Sequence, residues 1–248
     1  MRSISAIIIA KDEERIIAPC IASLRGLSEV IVIDTGSADR TAEIARQAGA
    51  RVISEQWLGF AAQRQHSLQH AKHDWVLFID ADEKLSPELL AQIIALEPDA
   101  RTEGFLLRRR NYFLGKPMKN ARWAGDWQLK LFRRDRAAIK QVAVHEGVTV
   151  HGPKQRLDAG AIEHDTVPSL RKHLDKLNRY TTLEARQKYD GGQRFSLVKM
   201  MASPAVEFWK LYLTLGCWRD GLRGLAIAAL SALYKLVTLG KLMELGRG

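Results

Sequence analysis

The 248-residue chain has only two cysteines, Cys20 and Cys217, which excludes a disulfide framework and any cysteine-based metal spacing. Both are expected to be buried, reduced thiols. Aromatic residues make up 7% of the chain, and few interleave with the basic residues of the N-terminal part. A stacking platform for single-stranded nucleic acid is therefore not expected, and nucleic acid is not expected as a partner. No secretory leader is expected either, because Met1-Arg2-Ser3 runs straight into an apolar stretch that Lys11-Asp12-Glu13-Glu14 cuts short. Internal repeats and low-complexity tracts are absent. Hydrophobic residues at 46% and charged residues at 27% exclude disorder, and the length allows one large domain or a domain plus an extension.

Acids are scarce in the last third. Residues 167–248 hold 14 Lys and Arg against 6 acids, so most of the net charge of +10 sits there. A basic, apolar C-terminal third points to an anionic surface as partner. Phe208–Leu213 and Leu222–Leu239 are strongly apolar but carry Arg223 and Lys235 nearby or within, and the longer run falls just short of the ~20 residues that span a bilayer. Trp209, Tyr212, Trp218 and Tyr234 suit the membrane–water interface. These segments are predicted to lie on a membrane surface. A transmembrane hairpin and a buried helical subdomain stay open as alternatives.

Strand and helix alternate at short spacing through the first hundred residues. Strands are predicted at 3–10, 29–33, 51–54 and 75–79, and helices at 12–24, from 38, and at 60–71. This rhythm argues for βαβ units and a mainly parallel sheet covered on both faces. After Glu97-Pro98-Asp99 the chain becomes mixed and loop-rich, with strands predicted at 104–110, 127–132 and 142–150. Ser169 to Tyr189 reads as a basic amphipathic helix. The expected division is a catalytic domain at 1–166, with a nucleotide-binding half 1–98 and an acceptor half 99–166, followed by a helical extension at 167–248.

The stretch with most chemistry is Asp80-Ala81-Asp82-Glu83, where an apolar strand opens into carboxylates. Open α/β sheets bind ligands at the carboxyl ends of their strands. Two aspartates at i and i+2 on an extended turn can face one cation, and hard oxygens suit Mg2+ or Mn2+ bridging to a diphosphate. Alone, the triplet reads more readily as a solvated turn before a helix capped by Ser86, with Pro87 and Glu88 in its first turn; its place at the end of the strand expected to be central shifts the balance toward a site.

Ile7 to Glu14, Val32 to Thr41 and Phe78 to Glu83, in this order and spacing, resemble the inverting GT-A glycosyltransferases of family 2. Trp57 to Arg64, Gln128 to Arg134, Val144-His145-Glu146 and Gly216 to Glu244 resemble the bacterial branch containing lipopolysaccharide core β-1,4-glucosyltransferases. The resemblance implies an α/β GT-A fold with a helical C-terminal extension. It also implies a metal-dependent, inverting transfer of a hexose, glucose from UDP-glucose, onto a heptose of the lipopolysaccharide inner core at the cytoplasmic face of the inner membrane. The donor would meet Ala10, Glu13, Asp34, Thr35, Arg64 and Asp80; relatives commonly carry an acid where Thr35 stands. Asp80, Asp82 and His145 would hold Mg2+ or Mn2+, and Glu83 would orient Asp82 or face the sugar. Glu146 would be the general base, with Asp126 as the alternative. Arg108, Arg109 and Arg110 share a strand, so Arg109 is expected to face opposite to its neighbours. Two rivals remain: the same chemistry on another lipid-linked or peptide acceptor, and a non-catalytic nucleotide-sugar- or nucleic-acid-binding protein. The intact Asp80 and Asp82 argue against a dead enzyme.

Overall fold

Apolar strands with nothing to separate their two faces demand cover on both sides, and this governs the first half of the chain. The computed structural model describes residues 3–120, 127–139, 147–167 and 169–246. Its strands are β1 (Ile4–Ala10), β2 (Glu29–Asp34), β3 (Arg51–Ser54), β4 (Trp75–Asp80), β5 (Glu83–Leu85), β6 (Gly104–Phe113), β7 (Lys116–Pro117), β8 (Trp127–Arg133), β9 (Ala138–Ile139), β10 (Val148–Thr149) and β11 (Lys154–Val167). Its helices are α1 (Ile17–Ala22), α2 (Thr41–Gln47), α3 (Phe60–Ser67), α4 (Pro87–Ile94), α5 (Leu170–Asp190), α6 (Leu197–Trp209) and α7 (Gly221–Leu245). Two compact units result, Met1–Arg110 with Asp126–His164 and Asn111–Gly125 with Asp165–Gly248.

In the first unit the sheet runs β3-β2-β1-β4-β8-β6-β11-β5. Strands β1 to β4 pair in parallel, with Ala10 opposite Asp34, Asp34 opposite Ser54, and Ile9 opposite Asp80. The carboxyl ends of four strands therefore fall on one edge. Strands β8 and β6 then add antiparallel. Period-two alternation splits the core: Ile4, Ala6 and Ile8 pack with Ile17, Cys20, Ile21 and Leu24 on one face, while Ile7, Ile31 and Ile33 pack with Val76, Phe78 and Phe132 on the other. A fully buried isoleucine such as Ile8 stabilises by about 1.5–3 kcal/mol relative to exposure.

Two differences from the sequence-based expectation bear on the site. Helix α1 begins at Ile17, not Asp12. Pro19 lacks an N–H and would clash with the carbonyl of Arg15 inside a longer helix, so it is tolerated only in the first turn. Asp12 itself has φ 57, outside helical space. Strand β11 was not expected. Its run of 14 residues is mostly polar and contains Gly160 at φ 104, which hides the alternation. The glycine is required there, since a Cβ would sit 2.3 Å from the Ser86 hydroxyl and 2.9 Å from the Leu89 nitrogen. That close approach lets Ser86 cap α4 by accepting from the Leu89 N–H and also accept from the Ala161 N–H at 3.2 Å.

The second unit is helical. Phe113, Met118, Val167, Leu211, Cys217, Ile227 and Ala228 form its main buried cluster. The Asp220 carboxylate accepts the backbone N–H groups of Lys119 and Asn120 at 2.9 and 3.0 Å and so fixes the start of α7. Large apolar side chains stay exposed along α6 and around α7, including Val198, Met201, Trp209, Trp218 and Leu222. Among the described residues one helical stretch, Cys217–Leu245, is long and apolar enough to cross a membrane by length and composition.

Candidate active site

The carboxyl edge of the sheet gathers the groups with chemistry. Asp80 ends β4, and its Oδ1 accepts from Arg64 Nη2 on α3 at 3.0 Å. Its Oδ2 accepts from Lys130 Nζ on β8, also at 3.0 Å. Lys130 is 5% exposed and donates a second bond, at 2.7 Å, to Glu83 Oε2 on β5. The same Glu83 oxygen accepts the Asp80 N–H at 3.0 Å. Glu83 is fully buried, and Arg109 Nη1 lies 3.9 Å from its other oxygen. Arg108 and Arg110 are exposed, so the three arginines do alternate. Glu83 thus orients Asp80 through its backbone and through Lys130; the expected contact with Asp82 is not the one formed.

Charge distribution follows from this geometry. Burial alone would raise the Asp80 carboxyl, but Lys130 and then Arg64 outweigh it and hold it well below the usual carboxylate range. Burial pushes the Glu83 carboxyl up; Lys130 opposes the rise and the Asp80 charge adds to it. Burial would lower the Lys130 ammonium, yet Asp80 and Glu83 keep it above its ordinary value. Cys20 Sγ lies 3.6 Å from the Asp80 carbonyl. Burial, reinforced by Glu83, Asp82 and Asp80, drives its pKa far up, so it stays an inert thiol.

Asp82 faces elsewhere. Its Oδ2 lies 3.2 Å from His164 Nε2, with side-chain exposures of 38% and 14%. Strand pairing explains the meeting, because β11 lies antiparallel to β5 with His164 opposite Glu83, one residue beyond Asp82. A carboxylate and an imidazole side by side, next to a partly exposed Asp80, form a donor set that fits a divalent cation.

The other predicted donor residues divide. Arg64 reaches the site and lies with its guanidinium 5.8 Å from the Phe78 ring centroid. Glu13 sits partly exposed at the same edge, its N–H donating to Thr41 Oγ1 at 2.8 Å. Asp34 is 6% exposed and accepts from the Ser37 hydroxyl at 2.5 Å, which shapes the loop after β2. Thr35 is buried, and both its N–H and its hydroxyl donate to the Ala10 carbonyl, at 3.0 and 3.2 Å. Neither Thr35 nor Ala10 offers a side chain to a ligand here. Asp126, His145 and Glu146 lie outside the described residues. Sequence reasoning missed Lys130 and His164. For Lys130 the signal is a lysine between Leu129 and Leu131 on a strand, a cation that needs a partner if it points inward.

Acids at the carboxyl edge of a mainly parallel α/β sheet suit a nucleotide-using enzyme, and sequence similarity gives the family. Residues 5–151 match the model of glycosyl transferase family 2, and the chain belongs to that family. It is a nucleotide-sugar-dependent glycosyltransferase of the GT-A fold with a helical C-terminal extension, from a family in which inversion is typical. A lipopolysaccharide core biosynthesis glycosyltransferase of Rhizobium meliloti, LpsC, is 32% identical over 97% of this chain and 92% of its own length. An uncharacterized glycosyltransferase of Rickettsia typhi is 28% identical over 99% and 88%. Among solved structures, glucosyl-3-phosphoglycerate synthase of Mycobacterium tuberculosis with Mn2+, UDP and phosphoglyceric acid covers 71% of this chain and 73% of its own, at 18% identity and a TM-score of 0.46.

Proposed function

We propose that this enzyme moves a hexose, glucose from UDP-glucose, onto a heptose of the lipopolysaccharide inner core. The observation that carries the site reading is the Asp82–His164 pair beside an Asp80 already oriented by Lys130 and Arg64. The likeness to a core-biosynthesis enzyme along nearly the whole chain supports the acceptor class. Asp82 and His164 would hold Mn2+, which would supply positive charge against the leaving diphosphate. Asp80, kept ionised by its two cations, receives the donor, and Arg64 is near enough to the surface to turn from Asp80 to a phosphate. An acceptor hydroxyl attacks the anomeric carbon from the face opposite the nucleotide, its proton passing to Glu146 or, in the alternative assignment, Asp126. Deleting the gene in its host tests the acceptor. Core lipopolysaccharide should be truncated at the inner core by mass spectrometry; an unchanged core mass would favour another lipid-linked or peptide acceptor.

The C-terminal third brings this site to an acceptor held at the cytoplasmic face of the inner membrane. Each Lys or Arg near an anionic leaflet contributes about 1 kcal/mol, and exposed side chains such as Trp209 and Trp218 add an apolar share. Full-length protein should therefore float with vesicles containing anionic lipid, and high salt should release it only in part, since apolar contact is not screened. Protein that stays in the soluble fraction with such vesicles at low salt would overturn this placement.

A further inference from the structure

A second group of ligand-type side chains lies on the same unit, formed by different residues. Glu55 follows β3, where its N–H donates to the Asp34 carbonyl at 2.9 Å. Its Oε2 accepts from Gln63 Nε2 at 2.6 Å, and Gln63, fully buried, is fixed in turn by accepting the Leu58 N–H at 3.1 Å. This leaves Glu55 Oε1 aimed at two imidazoles: His70 Nε2 at 2.6 Å and His66 Nε2 at 3.0 Å. His66 is in the last turn of α3, and His70 closes the 3-10 turn Leu68–His70 that continues it. A spacing of four on helical backbone puts both rings on one side. The ligand atoms of all three residues lie within 4.8 Å of one another.

We propose that Glu55, His66 and His70 form a second cation site, selective for Zn2+ or a similar borderline transition metal. Two imidazoles and one carboxylate are a common zinc donor set, and Zn–N distances of about 2.0–2.1 Å put tetrahedral ligands roughly 3.3 Å apart. The two carboxylate–imidazole separations, 2.6 and 3.0 Å, need only a small opening to reach that. Gln63 holding the far carboxylate oxygen is the outer-sphere support such sites carry. The exposed Gln69 amide, with Nε2 2.8 Å from His66 Nε2, swings away or turns to offer its oxygen as a fourth ligand. His66, with a side chain 40% exposed, leaves a route from solvent. The ion ties the end of β3 to α3, the helix that presents Arg64 to Asp80. It is chemically distinct from the carboxylate-rich edge at Asp80 and Asp82.

Zinc titration of the full-length protein, stripped of metal and then held in excess Mn2+, tests this by calorimetry. One Zn2+ should bind per chain. His66→Ala and His70→Gln should each weaken binding at least about 100-fold, since each removes a direct ligand and loss of outer-sphere partners alone costs about 10–100-fold. Asp82→Ala should bind as wild type does. Co2+ should give the visible absorption of a low-coordinate nitrogen site, lost in His66→Ala. His66→Ala changes a part-exposed side chain, so a far-UV circular dichroism spectrum matching wild type keeps the test valid even where His70→Gln unfolds. Absence of Zn2+ binding under Mn2+, or wild-type affinity in a folded His66→Ala, would overturn the site.

Discussion

Replacing Asp82 by alanine will abolish sugar transfer, by about a thousand-fold or more, while the protein stays folded. Removing a single preorganised electrostatic group from a transfer site commonly costs 100- to 1000-fold, and here a cation would lose its carboxylate. Folding is spared because the Asp82 side chain is 38% exposed and its contact with His164 lies at the rim of the site; such changes usually fall within about 1 kcal/mol. His164→Ala should lower activity too, but raising Mn2+ should restore part of it, since a carboxylate remains. Restoration of Asp82→Ala by the same treatment would mean that the metal sits on other residues.

Lys130→Met should lower stability by about 3–5 kcal/mol, the usual cost of breaking a buried ion pair from one side. For a chain of this size that is a drop in melting temperature of roughly 6–20 °C. The cause is specific: Glu83 is fully buried and Lys130 is its 2.7 Å partner. Adding Glu83→Gln should recover much of the loss, because a neutral amide needs no cation. The pH dependence has a defined sign. The Asp80 carboxyl is lowered in the folded state, so its contribution is present above about pH 4 and is lost as pH falls through its folded value. The raised Glu83 acts oppositely, its contribution being lost as pH rises above its folded value. The gap between wild type and Lys130→Met should therefore narrow toward acid pH, where Glu83 is protonated and Asp80 loses its pairing. Calorimetric melting of the three proteins across pH checks this. Equal melting temperatures for wild type and Lys130→Met at neutral pH would show that the triad carries no stability.

What could be read from the residues was whatever is written locally. β1, β2 and β4 announce themselves because strands buried on both faces must be apolar throughout, and Asp34 and Asp80 mark where they end. Ser86 and Pro87 mark the start of α4 in the same local way. Lys130 was hidden because its meaning depends on sheet order: only when β8 lies beside β4 does its ammonium reach Asp80 and Glu83. His164 was hidden one level deeper. Its strand carries polar residues and the Gly160 kink, so no alternation marks it, and its partner is 82 residues away. The helix expected from Asp12 rests on apolar spacing alone and does not weigh Pro19, which fixes where α1 starts.

Transfer with purified full-length protein, UDP-glucose, Mn2+ and an acceptor lipopolysaccharide cut back to the inner-core heptose is the most direct measurement. The account predicts an acceptor heavier by one hexose, no product with Asp82→Ala or in EDTA, and product again once Mn2+ is restored. Full transfer in EDTA, or no transfer from UDP-glucose to this acceptor in Mn2+, would contradict it.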